Sequence, residues 1–221
     1  MSKSEYNANI ESLITIFTVE DDKLKILLVR KNTEPYKGYW TIPNSMVKNN
    51  ETIEDNLTNL VYDDLGIKSL YIEQNHTYST IDRNPDGRVV GINYIGLIDP
   101  VTLLLKREAR ENIETSWFPI NDLPKLGYDH LNIIEKTIGS LGKKLNSVFY
   151  IRNLFPADFT LPELERVLTS ILDKSVDRRN FRKRLIKLNI IEPTGDMSEG
   201  HNGRPAKLYR FKEDIKDIHL F

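Results

Sequence analysis

The stretch from Thr160 to Phe211 leaves few folds open. Thr160-Leu161-Pro162-Glu163 reads as a helix start, because a Thr N-cap and a Glu three residues on each satisfy an orphan backbone N–H. Leu164, Val167, Leu168, Ile171 and Leu172 then recur at three- and four-residue steps and give that helix one apolar face. Ser175 or Asp177 caps a second helix, in which Phe181, Leu185 and Leu188 form the buried stripe and Arg178, Arg179, Arg182, Lys183 and Lys187 lie outside it. Between Lys174 and Lys187 stand seven Lys or Arg and one acid, a density of like charge that is unfavourable unless something anionic lies opposite. A turn through Gly195, Gly200 and Gly203 and the alternating Ala206 to Phe211 supply a two-stranded wing. Helix, turn, basic helix and hairpin make the order of a winged helix-turn-helix, whose second helix enters the major groove of double-stranded DNA. Arg178, Arg179, Asn180 and Arg182, near the helix start, are the candidates for base edges; Lys187, Arg204 and Lys207 suit phosphates, and Lys183 completes the set.

Charge supports that division. Residues 1–140 carry 15 Lys and Arg against 21 Asp and Glu, whereas residues 141–221 carry 16 against 11. A basic module on an acidic body points to a polyanionic partner for the smaller part alone. The Gly139 to Lys144 stretch breaks the pattern, and the domains are read as 1–142 and 143–221. With no cysteine there are no disulfides or thiolate metal sites. No apolar run reaches about 18 residues and Met1 to Glu11 is polar, so a cytoplasmic protein with no membrane partner is expected.

The larger part reads as mixed α+β. Leu13 to Phe17 and Leu24 to Val29 are apolar runs around the charged turn Glu20 to Lys23, a hairpin. Trp40-Thr41-Ile42-Pro43 leads into a polar loop, a helix from about Ile53 to Leu65 ending at Gly66, and strands around Tyr78 and from Val89 to Ile98.

These residues resemble the surroundings of a Nudix box, G-x5-E-x7-R-E-U-x-E-E-x-G-U. Gly66-Ile67 anchors the frame, with Glu51 at the first glutamate and Val61 at the aliphatic place. The chemistry departs from the pattern: Ser45 replaces the first glycine, Asn59 the arginine, Leu60 the next glutamate, and Asp63 and Asp64 the final pair. Nudix hydrolases gather carboxylates on one helical turn to hold Mg²⁺ against a diphosphate. Leu60 removes one ligand and is expected to turn an apolar group toward the site, while each Asp is one methylene short. No catalytic residue and no cofactor are expected, and Glu51, Asp63 and Asp64 remain as remnants of a metal site.

Further segments, Ile81 to Val90, Trp117 to Pro124, Tyr128-Asp129-His130, Phe159 to Leu164 and Gly203 to Phe211, resemble the Nudix-related transcriptional regulators. The resemblance implies a Nudix-type mixed α/β/α sandwich followed by a winged helix-turn-helix, acting as a homodimeric repressor on a palindromic operator. It also implies a small-molecule effector, ADP-ribose, a related nucleotide or a sugar. Arg30, Arg83 and Arg88 are candidates for phosphate pairing, and Trp40 and Tyr78 for stacking. Against these, Trp40 fits a core position, and Arg83 with Asp82 and Asp86 fits a turn organised around Pro85-Asp86-Gly87. His130 is read as positioning its helix. An active Mg²⁺-dependent nucleoside-diphosphate hydrolase with an accessory DNA-binding domain is the alternative, and a protein-interaction adaptor a third reading.

Overall fold

A computed structural model describes residues 7–21, 23–99, 113–145, 147–172, 178–198 and 205–213. Its order of elements follows the apolar runs. Strand β1 (Asn9–Glu20) turns at Asp21, in the left-handed region with φ 51°, into β2 (Lys23–Arg30). Short strands β3 (Trp40–Thr41) and β4 (Asn44–Met46) precede helix α1 (Ile53–Thr58), which runs on with π-helical winding over Asn59–Asp64. Strands β5 (Tyr71–Tyr78), β6 (Val89–Leu97) and β7 (Thr115–Pro119) follow, then helix α2 (His130–Lys144).

The seven strands form one mixed sheet whose main path is β3-β2-β1-β6-β5, with β4 paired to β1 and β7 to β2. At its centre β1 runs antiparallel to β2 and parallel to β6. Alternation along β1 explains the layers: Leu13, Phe17 and Val19 join the apolar cluster on the α2 side, while Ile14 and Ile16 join the cluster with Leu57, Leu60, Val61 and Leu65 of the α1 segment. Both faces of the sheet are thus covered, the α/β/α sandwich that the resemblance implied.

The smaller part comprises α3 (Val148–Leu154), β8 (Asp158–Thr160), α4 (Leu161–Leu172), α5 (Arg178–Lys187), β9 (Ile191–Met197) and β10 (Lys207–Phe211). The expected cap of α4 is present: Glu163 N–H donates to Thr160 Oγ1 at 3.2 Å and Thr160 N–H to Glu163 Oε2 at 3.3 Å. Helix α5 stops at Asn189, whose φ of 55° closes it in the left-handed region. The two strands expected of the wing pair with each other, β9 antiparallel to β10, and a third that the sequence did not announce, β8, joins the other side of β10 in a sheet ordered β8-β10-β9. Three residues are too short to carry periodicity; what fixes β8 is tertiary, with Phe159 wholly buried against Phe211, ring centroids 4.7 Å apart.

Gly139 to Lys144, expected to interrupt the chain, is helical throughout. A helical glycine costs about 1 kcal/mol relative to alanine. The apolar face Ile133, Ile134, Leu141 and Leu145, all fully buried, offsets it. The 142/143 boundary therefore falls within the last turn of α2. The apolar cluster on that side also runs unbroken from Leu13 and Phe17 of the sheet to Phe181, Leu185 and Phe211 of the winged helix.

Candidate functional site

The loop before α1 is fastened by hydrogen bonds to side chains of its own. Thr52 and Asp55 form a reciprocal capping box, Asp55 N–H donating to Thr52 Oγ1 at 3.0 Å and Thr52 N–H to Asp55 Oδ2 at 3.3 Å. Buried Asn56 donates to Ser45 Oγ and Met46 O, each at 3.1 Å, and to Glu51 Oε1 at 2.8 Å, and Ser12 donates to its Oδ1. Glu51 also accepts from Lys48 N–H at 2.8 Å, and these bonds hold its carboxyl below the usual range. The first remnant carboxylate is thus spent on shaping the loop, and Asn56, which local sequence does not single out, is the hub.

Leu60 does not face a metal site. It is 6% exposed and packs in the core with Leu57, Val61 and Leu65. The π-helical winding places it there: Leu65 N–H reaches back five residues to Leu60 O at 3.0 Å, and Gly66, with φ 70°, then ends the helix. Asp63 is exposed and Asp64 half-buried. No group of three or more His, Cys, Asp or Glu side chains able to hold a metal occurs among the described residues.

The effector candidates divide between two places. Arg30 and Trp40 face each other across β2 and β3. Arg30 is exposed and pairs with Glu114 at 3.2 Å, while Trp40 is half-buried, edge-on to Phe118 with centroids 4.8 Å apart. Tyr78, Arg83 and Arg88 belong to the other end of the sheet, where β5 passes through residues 79–88 into β6. Tyr78 is buried, with the Lys136 ammonium 5.5 Å over its ring. Arg88 donates to Ser79 O at 2.8 Å and Thr80 O at 3.1 Å, buckling the loop.

Arg83 is built into the fold rather than offered to a phosphate. Its Nη1 donates to Glu11 Oε2 at 2.7 Å, and its Nε and Nη2 grip both oxygens of Asp129 at 3.1 and 3.0 Å. The guanidinium is 1% exposed. Its partners are these two distant acids and not the adjacent Asp82 and Asp86; buried charge needs a buried counter-charge, and the neighbours in sequence are exposed. Gly91 makes room, since a Cβ there would stand 3.0 Å from Arg83 Cζ and 2.8 Å from Leu13 Cδ1. Beside this triad His130 is fully buried and its Nδ1 accepts from Ile42 N–H at 3.0 Å, tying α2 to the loop after β3. Burial first, then the charges of Arg83 and Lys31, push its pKa down to about 3, so the ring is neutral. Glu11, Asp129 and His130 therefore organise a region in which the sequence marks Arg83 and Arg88 as candidates but neither of the acids that hold Arg83.

On the second domain, α5 buries Phe181 and Leu185 and exposes Lys183, Arg184 and Lys187. Arg178, Arg179, Asn180 and Arg182 fall in its first half. Lys207 is exposed on β10. Arg204 and the capping candidates Ser175 and Asp177 lie outside the described residues. Arg184, absent from the residues expected at DNA, belongs to the same cationic surface.

Residues 12–137 match the NUDIX domain and residues 151–211 match the NrtR DNA-binding winged helix domain. The chain belongs to the Nudix-related transcriptional regulators. Among members of this family, the ADPR responsive transcriptional repressor NtrR of Acinetobacter baylyi is 29% identical over 216 residues, covering 95% of this chain and 84% of its own. The crystal structure of Shewanella oneidensis NrtR complexed with a 27mer DNA is similar with a TM-score of 0.76 and 26% identity, over 95% of this chain and 99% of that one. The ADP-ribose pyrophosphatase of Methanocaldococcus jannaschii is 28% identical over 131 residues, 59% of this chain and 76% of its own. No helix among the described residues of this family member is long and apolar enough to cross a membrane.

Proposed function

We propose that this chain is an operator-binding repressor whose Nudix domain senses ADP-ribose or a related nucleotide without hydrolysing it, working as a homodimer on a palindromic site in the cytoplasm. The observation that carries the reading is the joining of two features in one chain: a cationic α5 on a winged helix, and a Nudix helix whose second ligand position, Leu60, is core. A related repressor named as ADPR-responsive over nearly the whole chain favours a nucleotide over a sugar as effector. The decisive experiment titrates the protein on a duplex from its own upstream region with ADP-ribose, NAD and simple sugars, beside a Mg²⁺ hydrolysis assay. Operator binding shifted by ADP-ribose without turnover supports the proposal; turnover without DNA binding overturns it.

The pyrophosphatase relative favours the alternative of a working hydrolase, and Glu51, Asp63 and Asp64 are its basis. Asn59→Arg with Leu60→Glu tests it. Because Leu60 packs in the core, the added carboxylate is not aimed at a metal, and hydrolysis is expected to stay at background in a Mg²⁺-dependent release assay.

Two sets of substitutions on α5 separate base reading from phosphate pairing. Arg179→Ala or Arg182→Ala is expected to weaken operator binding by about 1–3 kcal/mol and relax sequence preference if the side chain reads a base. The pair Lys183→Ala and Lys187→Ala, both exposed, is expected to weaken all sequences alike and to flatten the slope of log K against log salt by about 0.9 for each phosphate no longer neutralised. Unchanged binding in every one of these variants would remove α5 from the interface.

A further inference from the structure

Glu73 on β5 holds three donors. Its Oε1 accepts from Lys144 Nζ at 2.7 Å, and its Oε2 accepts from the hydroxyls of Tyr150 and Tyr71, each at 2.9 Å. Tyr71 stands edge-on to Phe149 and Tyr150, at centroid distances of 5.2 and 5.7 Å, and the Lys144 ammonium lies 5.1 Å over the Tyr150 ring. Partial burial favours the neutral acid, but the bonds from Lys144, Tyr150 and Tyr71 outweigh it and keep the carboxyl below its ordinary range. Glu73 lies inside the matched Nudix segment, whereas Lys144 and Tyr150 lie beyond it. One carboxylate thus joins the sheet to the end of α2 and to α3.

Helix α3 rests on β1 and β6 of the sheet. Its Val148, Ile151 and Leu154 are buried in the continuous apolar cluster that also takes in Phe181 and Leu185 of α5, so α3 and the basic helix share one close-packed core through which a shift of α3 is passed on. At its far end β5 finishes at Tyr78 and enters the loop pinned by Arg83 and Arg88. From Glu73 to Tyr78 the strand spans about 17 Å. In between, among the described residues, it is an edge strand paired with β6 alone, and a bulge breaks the register between Gln74 and His76. Asn75, at the bulge, reaches Asn93 and Thr137 only through long hydrogen bonds of 3.3 and 3.4 Å. A strand with one neighbour and an interrupted ladder is the part of this sheet most easily displaced along its length.

We propose that β5 is the lever through which the Nudix domain sets the pose of α5, with Glu73 as the coupling residue toward α3. This rests on the reading of the chain as a ligand-controlled DNA binder. Glu73→Gln in the full chain tests it by three measurements: operator Kd with and without saturating ADP-ribose, ADP-ribose Kd without DNA, and amide hydrogen exchange.

The ratio of operator affinities with and without ADP-ribose is expected to fall toward one, a loss of about tenfold from a coupling of ordinary size, while the ADP-ribose Kd stays within about twofold. Residues 148–154 should exchange faster than in the unaltered protein, and Tyr150→Phe should move both readouts the same way by less. A variant that keeps the full ratio, or loses it only together with ADP-ribose binding, overturns the lever. Unchanged exchange at 148–154 does so as well. If the unaltered protein itself shows no ADP-ribose response, it is the proposed function that falls, and the exchange measurement still decides whether Glu73 holds α3.

Discussion

Arg83→Ala is expected to lower folding stability by about 3–5 kcal/mol, the cost of breaking a buried ion pair from one side. The reason lies in what remains: Glu11, almost wholly buried, and Asp129 would lose a guanidinium that satisfies one oxygen of the first and both of the second. Such a loss is a large part of the roughly 5–15 kcal/mol that a typical domain has. Urea unfolding should show a lower midpoint at unchanged slope. Arg83→Lys keeps the charge but not the fork, and should fall between the two. The pH dependence supplies a second check. Burial raises the pKa of Glu11 and the bonds and charge of Arg83 oppose that rise. Without the arginine the folded pKa climbs further above the unfolded value. The folded state then binds the extra proton, so the variant is least impaired below pH 4.5 and loses stability as pH rises through the folded pKa. A deficit that is the same at every pH would show that the charge of Glu11 is not what Arg83 neutralises.

Acid should unfold this protein through His130. Its folded pKa of about 3 lies below the ordinary 6.5, so the unfolded chain takes up a proton that the folded one refuses. Stability from this group is fully present above pH 6.5 and is lost as pH falls toward 3, at about 1.4 kcal/mol per unit, roughly 4–5 kcal/mol if the whole window is crossed. Glu11 contributes a slope of the opposite sign, so the informative quantity is the difference between the unaltered protein and His130→Gln. Glutamine can accept the Ile42 N–H bond with its side-chain oxygen but does not titrate. The difference in unfolding free energy should shrink steadily below pH 6.5. A constant difference across that range would mean His130 is protonated in the fold.

What can be read from the chain and what cannot follow one physical line. Periodic apolar runs announce α4, α5, β1 and β2, and capping chemistry announces Thr160 with Glu163, because each is a matter of residues a few positions apart. The polar hubs are different. Glu11 meets Arg83, Asn56 meets Ser12, and Glu73 meets Lys144 and Tyr150, pairs separated by 72, 44, 71 and 77 positions. Nothing local distinguishes these from exposed polar residues, and only the closed sheet brings them together. Arg83 stands out in the sequence for its charge, yet local spacing pairs it with the wrong acids for the same reason. Leu60 is visible as a missing ligand, but its turn into the core depends on the π-helical winding, and residue type does not encode that. Gly139 misleads in the other direction, since a weak local signal for a break gives way to the buried face on either side of it.

The unbroken helix α2 has a consequence for inheritance. Its first turn carries His130, which is anchored to the sheet, and its last carries Lys144, which grips Glu73 just ahead of α3. Sensor and DNA-binding part therefore cannot be exchanged as separate cassettes. A graft that keeps the sequence of each part but changes the length of this helix by one residue turns everything downstream by about 100° and lifts it by about 1.5 Å. Relatives that answer to other molecules are expected to differ in their loops while keeping the count of residues between these two turns, and an inserted alanine after Gly139, which swings the buried Leu141 and Leu145 out of the shared core and Lys144 away from Glu73, should destabilise the whole chain rather than leave two sound halves.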